Sequence, residues 1–185
     1  MAPAPAMTTN DYLRTPETVR PQELIFGALR CADAPTPRHQ SAVLAFGLAL
    51  APFVRVNLLG RVYLSPIDVI LDDRKHLVLQ PDLLFISRSR MGMVKDRIRG
   101  APDMMLEVLS PNPRIGELNE RLGWFAQYGV RECWLLHQLE SRLEILTFAG
   151  GSIAARDSFD GQMPIHSAAL PGFDLTLDMI FTDWP

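Results

Sequence analysis

Two carboxylates stand where a carboxylate is costly to place. Asp82 follows Pro81 and opens the apolar run Leu83–Ile86, and Glu107 lies inside the run Met104–Leu109. A carboxylate in a buried strand destabilises the fold unless it is paired, hydrogen-bonded or bound to a metal. Hard divalent cations take oxygen ligands, and Mg²⁺ commonly accepts one or two carboxylates with water and substrate phosphate. An Asp at one strand end and a Glu on the neighbouring strand can supply that pair. The alternative is an ion pair between Glu107 and an arginine such as Arg114 or Arg121. On these residues alone both readings stay open. Asp68, in Pro66-Ile67-Asp68-Val69, is a further candidate ligand or a hydrogen-bonded strand acid. Residues 88–99 carry Arg88, Arg90, Lys95, Arg97 and Arg99 beside a single acid. Such a segment can track a phosphate backbone, or form a solvated loop or helix.

Other chemistries lack their signatures. There is no GxGxxG or GxxxxGK[ST] phosphate loop, no HExxH and no Cys/His zinc spacing. Ser110 is followed by proline and lacks the GxSxG elbow of a hydrolase triad. Cys31 and Cys133 form no disulfide framework, and Cys133 in Cys133-Trp134-Leu135-Leu136 reads as a buried thiol. The net charge of −3 gives no overall pull toward nucleic acid, so any DNA contact needs a local basic patch. The N-terminus has no basic segment leading into an apolar stretch, and no run of ~18 apolar residues suggests a membrane span. The expectation is a cytoplasmic protein without membrane contact.

The elements that must hold the acids follow from patterning. The 185 residues fit one domain, 21–185, behind a mobile tail over 1–20 rich in Pro, Ala and Thr. A chain of this size buries roughly 70% of its unfolded surface and needs no disulfide or metal to fold. Glu23–Arg30 with its central Gly27 suits a hairpin. Thr36 and Pro37 suit the cap and first position of a helix whose apolar residues are dense enough to leave it largely buried. Strands are expected at 62–64, 69–71, 77–79, 83–86, 104–109, 131–136 and 143–148. A helix from about 115 to 128 should end at Gly129, a left-handed cap. The C-terminal part suggests a turn, a short strand and a helical turn. Trp124 and Trp134 read as core. Strands mixed with two long helices give an α/β or α+β sandwich.

The order Pro81-Asp82, Gly100-Ala101-Pro102-Asp103, Glu107-Val108-Leu109-Ser110-Pro111 and Tyr128-Gly129-Val130-Arg131-Glu132-Cys133-Trp134 resembles the Uma-type (Uma-two) endonucleases. They are a branch of the PD-(D/E)XK nuclease superfamily. The likeness runs from Glu23 to Phe181 and includes Glu23-Leu24-x-x-Gly27, His39-Gln40 and Leu170-Pro171-Gly172-Phe173. It implies a restriction-endonuclease-like mixed central sheet flanked by helices, with a metal site at one sheet edge.

Carried over by residue, the resemblance makes Asp82 and Glu107 the metal-binding acids, which would hold Mg²⁺ or Mn²⁺ with the Val108 carbonyl completing the set. Glu23 matches an acid near the family's start, and His39 a common histidine. The superfamily's lysine position after the Glu is Leu109, and the position where this family has lysine is Arg121. Glu117 stands for the family's Asp, Phe125 for its Tyr, and His137 for the acid ending the next strand. An arginine can stabilise developing charge but cannot act as a base. Glu117 and Arg121 are also spaced i, i+4, which suits a helical ion pair.

Two classes of function follow. The first is a metal-dependent endonuclease acting on DNA, working as a homodimer, with activity weakened by arginine at the lysine position. The second is a catalytically degenerate nuclease fold serving as a binding or regulatory protein. Hydrolysis of another phosphate ester would use the same site.

Overall fold

The computed structural model describes residues 6–16, 18, 20–109 and 118–182. The chain runs α1 (Thr9–Leu13), β1 (Gln22–Ile25), β2 (Ala28–Cys31), α2 (Pro37–Val56), β3 (Gly60–Leu64), β4 (Val69–Asp72), β5 (Leu77–Leu79) and β6 (Leu83–Ser87). After a 3₁₀ segment (Arg88–Met93) come β7 (Ile98–Arg99), β8 (Met104–Leu109), α3 (Leu118–Tyr128), β9 (Glu132–His137), β10 (Arg142–Ala149), β11 (Ser152–Asp160) and α4 (Leu177–Ile180). The strands form two mixed sheets, a six-stranded one ordered β11-β10-β9-β8-β6-β3 and a five-stranded one ordered β2-β1-β5-β4-β7. Within them β8/β9 and β4/β7 are parallel and the other pairs antiparallel. The expected sheet flanked by helices is therefore present, joined by a second, smaller sheet.

Strand alternation divides the interior. Leu83 and Phe85 of β6, with Met104, Leu106 and Val108 of β8, face α2 and its Phe46 and Leu50. Leu84, Ile86 and Met105 face the other way, toward Leu122 and Phe125 of α3 and Val69, Leu77 and Leu79 of the smaller sheet. Glu107 shares the parity of Met105, so it enters the layer that holds α3.

Local signals act as the sequence suggests. Thr36 Oγ1 accepts from the His39 N–H at 3.2 Å with Pro37 opening α2, and Phe26-Gly27 turns the β1–β2 hairpin. At the end of α3, Gly129 takes φ 89° and the Val130 N–H bonds back to Phe125 O at 3.0 Å, the 6→1 bond of a Schellman cap. Gly60 is confined by space: a Cβ there would run into the Ile86 carbonyl oxygen.

Some expectations change. Thr9–Leu13, placed in the tail, forms a helix capped by Thr8 and Asp11, with Thr9 and Tyr12 buried. It docks because the Tyr12 hydroxyl donates to Gln22 O and Asp68 Oδ1, both at 2.9 Å. Helix α2 buries only one face, leaving Leu44, Leu48 and Val56 at 56%, 68% and 75% exposure. Its length and mean hydropathy of 1.3 also meet the requirements of a membrane span, against the expectation that no segment does. In this fold its other face instead covers the six-stranded sheet. Trp134 is fully buried, while Trp124 is half-buried in an edge-to-face contact with Phe26. Residues 161–176 form no strand. The start of the helix expected from 115 lies outside the described residues.

Candidate active site

The β6/β8 ladder brings the two acids together. Leu84 pairs with Met105 and Leu83 with Leu106, so the next rung sets Asp82 opposite Glu107. The Val108 N–H donates to Asp82 Oδ2 at 2.7 Å and fixes that carboxylate. From α2, His39 Nε2 comes within 3.2 Å of Asp82 Oδ1. The approach is too poorly aligned for a hydrogen bond, and both ring nitrogens are buried without partners among the described residues.

A third acid arrives from the hairpin. Glu23 on β1 is 2% exposed and accepts the Gln80 N–H at 2.7 Å. Arg121 on α3 joins it to Glu107: Nη1 lies 2.9 and 2.8 Å from the two Glu23 oxygens, and Nε 2.9 Å from Glu107 Oε1. The guanidinium also sits over the Phe125 ring, 5.5 Å from its centroid. Glu107 Oε2 carries no hydrogen bond among the described residues. Glu23, His39, Asp82, Glu107, Val108 and Arg121 all line one cleft of about 1310 Å³.

The cluster is short of positive charge. Glu107 and Glu23 share one guanidinium, and Asp82 stands beside them against His39. When all three are ionised, two negative charges stay uncompensated in a poorly solvated place. Burial accordingly raises the Asp82 carboxyl above its ordinary value, although the Val108 N–H, His39 and Arg121 pull it down. Glu107 is pushed up to about 8 by burial; Arg121 opposes this, while Asp82 and Glu23 add to it. Burial alone would lower Arg121, but Glu107 and Glu23 hold its guanidinium well above the ordinary value. Arg121 is thus a fixed cation.

The donors suit a hard divalent cation in chemistry and charge. Asp82 and Glu107 could hold Mg²⁺ or Mn²⁺ with the Val108 carbonyl, since such ions need few protein oxygens. Among the described residues no three His, Cys, Asp or Glu side chains form a ready-made metal cluster. Arg121 takes the place in front of Glu23 and Glu107 instead.

The other sequence candidates divide. Asp68 lines the cleft, but its carboxylate is occupied: Tyr12 and Gln80 donate to Oδ1 at 2.9 Å, and Arg97 to Oδ2 at 2.9 Å. That bonding fits the hydrogen-bonded strand acid better than the extra ligand. His137 pairs with Glu144 at 3.4 Å and does not line the cleft. Of the basic segment only Arg97 reaches the cleft. Arg90 binds Asp103 and Ala101 O, and Arg99 lies 3.6 Å from Asp96. Arg88 is exposed and Lys95 exposed as well, both away from the cleft. Glu117 lies outside the described residues.

Two buried acids, quoted above only as parts of the motifs, received no role from the sequence. Asp103 accepts from Ser87 N and pairs with Arg90 and Arg131. Glu132 accepts from Trp134 Nε1, Ser167 Oγ and the Ala168 and Ala169 N–H groups. The signal was available, an acid bordering an apolar strand, but it is the same signal that Glu107 gives. Arg38, at the cleft, was also overlooked; it donates to Gln138 O at 2.8 Å.

A family model, Uma2, described as "Putative restriction endonuclease", matches residues 9–178. A search of the curated proteins gives no match. Among solved structures, the crystal structure of a putative nuclease belonging to DUF820 from Anabaena variabilis ATCC 29413 superposes with a TM-score of 0.78. The two are 18% identical, and the alignment covers 95% of this chain and 98% of that one. At that identity the likeness speaks for the fold.

Proposed function

The chain belongs to the Uma2 family of restriction-endonuclease-like proteins, and from that premise we propose that it is a metal-dependent nuclease that hydrolyses DNA phosphodiester bonds. The observation that carries this reading is the charge deficit. Glu107 and Glu23 share a single guanidinium and Asp82 stands beside them at the same cleft, so the three carboxylates, once ionised, exceed that guanidinium by two negative charges, which one divalent cation would balance.

Mg²⁺ or Mn²⁺ held there would activate water and neutralise charge developing on the phosphoryl group. The chain's own residues supply the rest. Asp82, fixed by the Val108 N–H, and Glu107, steadied by Arg121 through Oε1, line the cleft and each keep a second carboxylate oxygen for a cation. Arg121 stabilises negative charge electrostatically and takes no proton, because a guanidinium stays charged in proteins. Arg38 and Arg97, which line the cleft wall, would meet phosphates flanking the scissile one.

Plasmid nicking with Mg²⁺ or Mn²⁺ tests the proposal. Wild type should nick, and Asp82→Ala and Glu107→Ala should not while remaining folded. Absence of nicking by wild type with either ion would sink it.

One observation favours a second reading. Arg121 already bonds Glu23 and Glu107, the position a cation would compete for. A fold that carries its cation as a side chain would serve as a binding or regulatory protein. In that case Arg121→Lys, which gives up the two-sided fork, should create metal binding where wild type has none.

A further inference from the structure

We propose that His39 is a nitrogen ligand of the divalent cation, giving the site a preference for Mn²⁺ over Mg²⁺. The proposal rests on the metal reading above and names a donor that the acidic pair alone does not supply.

Three observations converge. The imidazole enters the cleft from the first turn of α2, with only 14% of its side chain exposed. Neither ring nitrogen has a hydrogen-bond partner among the described residues, although both are buried. Buried polar side-chain atoms are nearly always bonded, so a doubly unpartnered ring calls for an explanation. The third observation is the neighbour. Nε2 lies 3.2 Å from Asp82 Oδ1, and the other Asp82 oxygen is taken by the Val108 N–H. Two donors without other bonds among the described residues therefore stand side by side, in residues that line one cleft.

Their spacing has a meaning of its own. Adjacent ligands of an octahedral ion with bonds of about 2.1 Å stand about 3.0 Å apart. The observed 3.2 Å is close to that and fails the alignment of a hydrogen bond. A mixed nitrogen and oxygen set also changes selectivity. Carboxylates and water suit Mg²⁺ and Mn²⁺ alike, whereas imidazole suits first-row transition ions; Mn²⁺ belongs to that row and Mg²⁺ does not, so a nitrogen donor favours Mn²⁺ of the two.

The test uses the full chain with Mn²⁺ as the probe. Pulsed electron paramagnetic resonance of the Mn²⁺-loaded protein should show ¹⁴N modulation from a directly bound imidazole. That modulation should vanish in His39→Gln and His39→Asn. Calorimetric titration should show Mn²⁺ affinity falling by at least the roughly tenfold that loss of even an outer-shell partner brings, with Mg²⁺ affinity much less affected. Selective Mn²⁺ broadening of the His39 ring resonances, among the four histidines of the unsubstituted chain, decides the point should a variant misfold. Mn²⁺ bound without ¹⁴N modulation, or with modulation surviving both substitutions, overturns the role of His39 and leaves the metal reading intact. No Mn²⁺ binding by wild type at millimolar concentration overturns both.

Discussion

The Arg121 guanidinium and the Glu23 carboxylate, 98 residues apart in the chain, meet at 2.8 Å in the interior. The contact ties the β1–β2 hairpin to α3 across the cleft, and the same guanidinium holds Glu107. Breaking a buried pair by removing one member leaves an uncompensated charge and costs about 3–5 kcal/mol. Arg121→Met should lose stability on that scale in urea denaturation at pH 8. At pH 5 part of the loss should return, because the freed carboxylates can take up protons. A loss under about 1 kcal/mol, the worth of an exposed ion pair, would contradict a buried, two-sided role.

Glu107 makes stability depend on pH with a definite sign. Its folded value of about 8 lies above the ordinary 4.5, so between these values the folded state holds a proton that the unfolded chain has released. Stability should therefore fall as pH rises from about 4.5 to about 8. Raised Asp82 adds in the same direction. Acids held low, such as Glu144 by its bonds to Arg156 and His137 against burial, lose their contribution below that window. Glu107→Gln cannot titrate, so its urea midpoint should fall less across the window than that of wild type. Parallel midpoints for the two proteins would show that Glu107 does not carry the dependence.

Much of this geometry was legible in the residues, and the reason is locality. The Thr36 cap, the Gly27 hairpin and the Gly129 terminus depend on neighbours a few positions away, and each forms as its sequence suggests. Asp82 and Glu107 could be paired because each breaks an apolar run on adjacent strands. The partners of Glu23 and His39 could not be read, since they are set by how a hairpin, two helices and a ladder meet. Glu132 and Asp103 show the limit most clearly. Each is an acid beside apolar strand residues, like Glu107, yet among the described residues Glu132 accepts from four donors and Glu107 from Arg121 alone. Only the donor count separates a structural acid from one with capacity to spare.

Glu132 should therefore behave as a structural residue. Its carboxylate anchors the loop through the Ala168 and Ala169 N–H groups at 2.7 and 3.0 Å. Removing it strands several buried donors, each costing about 1–3 kcal/mol. Glu132→Ala should be strongly destabilised, with faster amide exchange at Ala168 and Ala169 than at the β8 and β9 amides. Whatever fraction stays folded should keep the metal response of wild type. Unchanged exchange at those two amides would remove the anchoring role.

Metal binding itself should register as stability, independently of any turnover. A cation that binds only the folded state at a hundredfold excess over Kd adds about 2.7 kcal/mol. For a domain of this size each kcal/mol raises Tm by about 2–4 °C. Mn²⁺ should therefore raise the wild-type Tm by several degrees. Asp82→Asn keeps an acceptor for the Val108 N–H but loses the charge, so without metal it should be at least as stable as wild type at pH 8, and Mn²⁺ should leave its Tm unchanged. Equal Mn²⁺ shifts in the two proteins would place the cation elsewhere. No shift in either would favour the reading in which Arg121 already fills the cation's place.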